Sequence, residues 1–318
     1  MKIERLGKIF DPTQHLLPLG CEAYAQSPQT LVFNDYVRIY FSTRARDQGG
    51  KFLSHVAYVD VDHKLERILD VSHQEIIPLG ALGCFDEHGI FPFHVLHRGD
   101  EIFAYTTGWS RRTSVSVETG VGLAVSNNHG KTFTRVGNGP ILTASLNEPF
   151  LVGDAFVRFF NNQFHMWYMY GVEWRPFLQD GQAERIYKIG HATSTDGINW
   201  EKTAGTQIIA DALGPDESQA LPSVIEADGA YHMFFCYRES FDFRQANGRG
   251  YRIGYARSED LIRWHRTDTA LAMGIPDGDW DSEMQAYPHI FNLGGRLILL
   301  YNGNEFGRFG FGAAEVFF

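Results

Sequence analysis

A unit of about 65 residues recurs along this chain, a period too long for a solenoid and suited to the blade of a propeller. Its first half reads as an apolar strand, a polar tip and an aromatic strand. The copies are SPQTLVFNDYVRIYFSTR from Ser27, FPFHVLHRGDEIFAYTTGW from Phe91, GDAFVRFFNNQFHMWYMYG from Gly153, LPSVIEADGAYHMFFCYRE from Leu221 and YPHIFNLGGRLILLYNGN from Tyr287. Each tip carries an Asn-Asp, Gly-Asp, Asn-Asn, Asp-Gly or Gly-Gly pair between β-rich runs, the composition of a tight hairpin with positive φ at its turn.

The second half of the unit is another hairpin: GVGLAVSNNHGKTFTRV from Gly120, KIGHATSTDGINWEKT from Lys188 and RIGYARSEDLIRWHRT from Arg252. A Gly-rich strand leads into Ser-x-Asn/Asp, whose side chains bond their own turn backbone and fix the reversal. This turn resembles the Asp-box of sialidases, most closely at Ser126 to Phe133, and the resemblance implies a structural role. The fifth copy ends at GFGAAEVFF without an outermost strand. The N-terminal segment from Lys2 to Phe10 is expected to supply it and close the ring, leaving no open sheet edge. No Pro/Ser-rich linker interrupts the repeats. The expected fold is therefore all-β: a single five-bladed β-propeller domain over residues 1–318, with four-stranded antiparallel blades.

Composition agrees and removes other classes. With 44% hydrophobic and 21% charged residues the chain can bury a core, and its 14% aromatic content and 33 glycines suit strands and tight turns. The net charge of −10 argues against nucleic acid or an anionic membrane as partner. Neither a signal peptide nor an apolar run long enough to cross a membrane is present, so the expected location is the cytoplasm. Cys21, Cys84 and Cys236 read as reduced thiols, too few and too scattered for a disulfide framework or a zinc knuckle. The histidines come from different blades with no short-range ligand pair, and the Gly-rich segments are strands, so neither a metal nor any other cofactor is expected.

Topology selects the working face. The start of each innermost strand and the long loop after each second strand must lie at the same end, while the opposite end receives only tight turns. The functional end thus gathers Arg44, Trp109, Trp174, Arg238 and Asn302 from the loops. The strand entrances contribute Glu22, Tyr24, Asp154 and the run Asp86-Glu87-His88. Aromatic rings beside carboxylates suit a carbohydrate, the rings stacking on C–H faces while the acids bind hydroxyls or move protons. Glu87, Glu217 and Glu283 each stand five residues before a proline (Pro92, Pro222, Pro288), and Gln219 and Gln285 share a Gln-Ala-x-Pro motif. Either these glutamates ring the funnel as proton donors with raised pKa values, or the repeat preserves them for packing.

The five-fold repeat with Asp-x-hydrophobic strand entrances resembles the five-bladed propeller superfamily of arabinanases, invertases, levansucrases and mannoside phosphorylases, glycoside hydrolase families 43, 32, 68 and 130. That resemblance implies cleavage or transfer of a glycosidic bond by paired carboxylates. Position by position the match is partial. Asp154 fits the middle acid, Ser27 stands where blade one should carry an acid, and Ala220 stands at the general-acid position. A rearranged site is expected, with Glu217 as acid, Asp154 as orienting acid, Glu283 or Glu87 as base and Arg238 as a substrate clamp. Glu22, Tyr24, Arg44, His88, Trp109, Trp174, Gln219, Gln285 and Asn302 would bind a small or oligomeric sugar. The arginines add the option of an acidic or phosphorylated sugar, or of phosphorolysis. The alternative is a sugar-binding propeller that has lost its catalytic acids.

Overall fold

The structure, a computed structural model, describes residues 1–176, 183–244, 248–271, 273 and 280–318. Five four-stranded antiparallel sheets account for the strands described. Blade one holds β2 (Ala23–Val32), β3 (Val37–Arg46), β4 (Phe52–Val61) and β5 (Ile68–Val71). Blade two holds β6 (Ile90–Arg98), β7 (Glu101–Arg111), β8 (Val117–Ser126) and β9 (Thr134–Arg135). In blade three these are β10 (Phe150–Phe160), β11 (Gln163–Pro176), β12 (Ala183–Ser194) and β13 (Glu201–Lys202). Blade four follows with β14 (Glu217–Ala227), β15 (Ala230–Glu239), β16 (Arg252–Ser258) and β17 (His265–Arg266). Blade five takes β18 (Ala286–Leu293), β19 (Arg296–Asn302) and β20 (Phe311–Phe317), and its outer strand is β1 (Lys2–Phe10). β1 runs antiparallel to β20 from Lys2 opposite Phe317 to Phe10 opposite Phe311, which closes the ring as expected.

The blades are cemented by apolar side chains shared between neighbours. Phe103 and Tyr105 of blade two meet Val157, Met166 and Tyr168 of blade three, and Phe10, Leu300 and Phe311 of blade five meet Val37 and Phe41 of blade one. Each such ring or branched side chain contributes roughly 1.5–3 kcal/mol when fully buried. The Ser-x-Asn/Asp turns are structural: Oγ of Ser126, Ser194 and Ser258 accepts from the backbone N–H of Gly130, Gly197 and Leu261 at 3.0, 2.9 and 2.9 Å. Two turns are also anchored from the preceding blade, Tyr40 donating to the Gly130 carbonyl (2.8 Å) and Tyr105 to that of Gly197 (2.9 Å).

One irregularity repeats in every blade. The innermost strands lose register between Gln26 and Gln29, Ile90 and Phe93, Gly153 and Phe156, Ala220 and Ser223, and Ala286 and His289. Inside these bulges Ser27, Asp154, Leu221 and Tyr287 take left-handed φ values of 53°, 54°, 50° and 57°, and the Phe91-Pro92 peptide is cis. A bulge bends its strand and re-aims a side chain out of the alternation of the pleat. Here it does so once per blade, at the end of the strands facing the axis.

Candidate active site

A hollow of about 300 Å³ opens where the innermost strands converge, and all five blades contribute to its wall. Four of the five bulge residues, Phe91, Asp154, Leu221 and Tyr287, line it. Aromatic rings from Phe52, Trp109, Tyr187, Phe243, Tyr251 and Phe306 form its sides. Five arginines reach it: Arg44, Arg111, Arg185, Arg238 and Arg244. Among the described residues lining it, Asp154 is the single carboxylic acid.

Asp154 is held by its backbone as well as by its surroundings. Its amide donates to Oγ1 of Thr107 at 2.8 Å, fixing the left-handed conformation that Asp tolerates better than most residues. The residue is 5% exposed, and burial pushes its carboxyl up to about 7 against the opposing pull of Arg185 and of the Leu221 backbone amide. A carboxyl so placed carries a transferable proton near neutral pH.

The guanidinium groups divide into two sets. Arg111 is neutralised by Asp47 at 2.6 Å and Arg244 by Glu184 at 3.0 Å. Arg44, Arg185 and Arg238 form no ion pair among the described residues, Arg185 acting on the Asp154 carboxyl only from a distance. Arg238 is fully buried, stacked 3.5 Å over Phe243, and donates to Tyr187 Oη (2.9 Å) and the Glu239 carbonyl (2.8 Å), while its Nε finds no partner. Arg185 lies between the rings of Trp109 and Trp174, 5.4 and 5.8 Å from their centres. Arg44 stacks 4.6 Å over Tyr24, and its buried Nε is likewise unpartnered. Flat guanidinium groups held on rings without an ion-pair partner suit an anion.

Of the residues expected at the site, Asp154, Arg44, His88, Trp109 and Arg238 do meet in the hollow. Glu22 and Tyr24 line an adjoining cavity. The expected convergence of Asp154 with Glu217 and Glu283 does not occur. Glu217 is fully buried, bound to Arg266 at 2.6 Å and to the amides of Ala212 and Leu213 at 2.8 Å each, with Gln219 closing the cluster at 2.9 Å. Glu283 and Gln285 line a different cavity beside Tyr237 and Met284. Glu87 accepts from the Gly83 amide at 2.8 Å and faces His88 at 3.4 Å, outside the hollow. Trp174 backs Arg185 rather than the hollow itself. Asn302 is a buried brace between blades five and one, donating to the carbonyls of Ala25 and Gly310 and accepting from the Ser27 amide at 2.8 Å.

Glu217 has counterparts, though not those its spacing implied. Asp86 pairs with Arg135 (2.6 Å), Glu148 with Lys202 (2.6 Å) and Asp281 with Arg5. In each case a base on the outermost strand of a blade clasps a buried acid just before or at the start of the innermost strand of the same blade. The repeated acid is thus a blade clasp.

No protein-family model matches the chain. It is 32% identical over 318 residues to the uncharacterized protein MT1551 of Mycobacterium tuberculosis (strain CDC 1551 / Oshkosh), covering 99% of both chains. The chain belongs to the MT1551 family. A second member, the uncharacterized protein Rv1502 of Mycobacterium tuberculosis (strain ATCC 25618 / H37Rv), shows the same identity and coverage. The MT1551-family fold is that of the five-bladed glycoside hydrolases and phosphorylases. A solved glycoside hydrolase matches with a TM-score of 0.73 at 17% identity, covering 98% of this protein and 92% of its own length. A β-1,2-mannobiose phosphorylase from Listeria innocua, in complex with β-1,2-mannobiose, matches at 0.67 and 12%, covering 99% and 97%. A thermostable family-43 glycoside hydrolase matches at 0.65 and 14%, covering 93% and 90%.

Sequence reasoning missed Arg185, Tyr187 and Tyr251 in this MT1551-family chain. All three sit at or next to the beginning of a third strand, Arg185 and Tyr187 near the start of β12 and Tyr251 just ahead of β16. Third strands descend from the same loop-rich end as the innermost strands enter, so applying the face argument to them as well would have found these residues.

Proposed function

We propose that this protein is a carbohydrate-active enzyme of the glycoside-phosphorylase type. Asp154 delivers a proton to the glycosidic oxygen while inorganic phosphate, held by Arg44, Arg185 and Arg238, attacks the anomeric carbon. A bond forms between phosphate oxygen and that carbon as the glycosidic C–O bond breaks. The leaving oxygen keeps the electron pair and takes the Asp154 proton, giving a sugar 1-phosphate and a shortened saccharide.

The observation that carries this reading is the composition of the hollow: one acid with a raised pKa beside three guanidinium groups that form no ion pair among the described residues. Hydrolysis by two carboxyl groups needs the second one about 5–5.5 or 6.5–9.5 Å from the first. The expected second carboxyls, Glu217, Glu283 and Glu87, stand outside the hollow. Phosphorolysis needs no base, because phosphate is already an anionic nucleophile, and its charge is what the arginines lack. A mannobiose phosphorylase among the proteins sharing the fold supports the same chemistry.

The second reading is a propeller that binds an anionic saccharide without cleaving it, favoured by Ser27 standing where blade one would supply an acid. The test is turnover on a panel of aryl glycosides and disaccharides with and without inorganic phosphate. Phosphate-dependent release of a sugar 1-phosphate by the wild type, lost in Asp154→Asn, supports phosphorolysis. Phosphate-independent release of free sugar refutes it, and saccharide binding without turnover selects the second reading.

A further inference from the structure

A second cavity, of about 420 Å³, adjoins the axial hollow, and Arg44 and Phe52 line both. Its remaining wall includes Glu22, Tyr24, Arg46 and Arg308. The axial hollow alone stands at the small end of the roughly 300–1,000 Å³ range of ligand sites, so a ligand longer than one sugar would extend into its neighbour. We propose that this cavity is a second saccharide subsite and that it receives a sugar unit carrying a carboxylate or phosphate. The proposal rests on the axial hollow being a saccharide site and specifies what lies beyond it.

Three observations carry it. First, the two cavities share a wall at Arg44 and Phe52, where Nε of Arg44 is buried without a hydrogen-bond partner. Second, the ring faces are already occupied by guanidinium groups. Arg44 lies 4.6 Å over Tyr24, and Arg46 lies 4.3 Å over Phe52. The rings therefore present flat, fixed cations rather than a bare apolar platform, and the N–H edges match a planar carboxylate or a phosphate. Third, charge in the cavity is unbalanced. Arg308 is matched by Glu305 at 2.8 Å, whereas Arg46 donates only to the Gly50 carbonyl (2.7 Å) and Arg44 has no acid at all among the described residues. Against these two cations stands Glu22, exposed at the rim and able to take sugar hydroxyls. A local excess of positive charge on a chain of net charge −10 singles the cavity out as a place for an anion.

The test is an array of matched saccharides read by binding and then titrated by calorimetry. It holds neutral disaccharides, disaccharides ending in a uronic acid, disaccharides ending in a sugar phosphate, and the corresponding monosaccharides. The wild type is expected to bind acidic disaccharides about tenfold or more tighter than neutral ones and than any monosaccharide. Arg46→Ala, at an exposed position, should remove that preference while leaving monosaccharide binding unchanged, whereas Glu22→Gln, which takes away the opposing charge, should sharpen it. Arg238→Gln, in the axial hollow, should weaken every ligand. The uronate and phosphate arms identify which anion is taken. Equal affinity for neutral and acidic disaccharides, or acidic preference unaltered in Arg46→Ala, overturns the second subsite and leaves the axial reading intact. No saccharide bound by the wild type overturns both.

Discussion

Arg266 and Glu217 form an ion pair at 2.6 Å whose side chains are 7% and 0% exposed, tying the outermost strand of blade four to the start of its innermost strand. The pair serves the blade and stands outside the axial hollow. Removing one partner of a buried pair strands the other charge and typically costs about 3–5 kcal/mol. Glu217→Ala is expected to lose stability on that scale in urea titration, while the folded fraction keeps its affinity for phosphate. Lost turnover with unchanged stability would make Glu217 a catalytic group after all.

Asp154 ties stability to pH with a definite sign. Its carboxyl binds a proton more tightly in the folded chain (about 7) than at its ordinary value of 3.8. Stability from this group is therefore greatest below about pH 4 and is lost as pH rises through about 7, by an amount on the order of 4 kcal/mol. Asp154→Asn keeps the left-handed backbone comfortable and removes the titration. Melting temperatures from about pH 4 to pH 8 should show the wild type declining relative to the variant, which becomes the more stable protein at the alkaline end. Catalysis by the acid form should fall above about pH 7 in the wild type.

Inorganic phosphate should stabilise the folded chain directly. At a hundred times its dissociation constant a ligand adds about 2.7 kcal/mol, visible as a rise in melting temperature. Arg238→Gln and Arg185→Gln should each diminish that rise, whereas Arg244→Gln, which removes a guanidinium already matched by Glu184, should leave most of it.

Ring closure can be tested at its seam. Asp281 is fully buried, clasped by Arg5 of β1 and bonded by Tyr301 at 2.9 Å. Arg5→Leu leaves that carboxylate short of its cation and should cost about 3–5 kcal/mol in denaturant. Deleting residues 1–10 goes further, uncovering the edge of β20, and should appear in size-exclusion chromatography as self-association.

The blades were legible because hairpin tips and Ser-x-Asn/Asp turns are local codes: a few residues determine a reversal wherever it occurs. The end of the ring that carries the axial hollow was legible too, and with it the meeting there of Asp154, Arg44, His88, Trp109 and Arg238. The fate of Glu217 and Glu283 was not. Their common distance from a proline aligns positions that are not equivalent in space. The acids that do correspond are Asp86, Glu148, Glu217 and Asp281, at unequal distances from their bulges. Side-chain direction in a strand reverses with each residue, so an offset of one or two decides between clasp and cavity. The bulges add a further shift that no propensity announces. Arg185 and Tyr251 escaped for a simpler reason, since they stand at or just ahead of third strands rather than at the entrances of the innermost ones.

Because four of the five blades place a displaced residue in the axial wall, part of its chemistry is modular. Ser27, Phe91, Asp154, Leu221 and Tyr287 occupy equivalent stations in their strands, and all but Ser27 line the hollow. Each station lies where the ladder between the first two strands of its blade is already interrupted. A scaffold of this kind can be refitted from acid to neutral, or from sugar to another polar ligand, by a handful of substitutions along a single circumference.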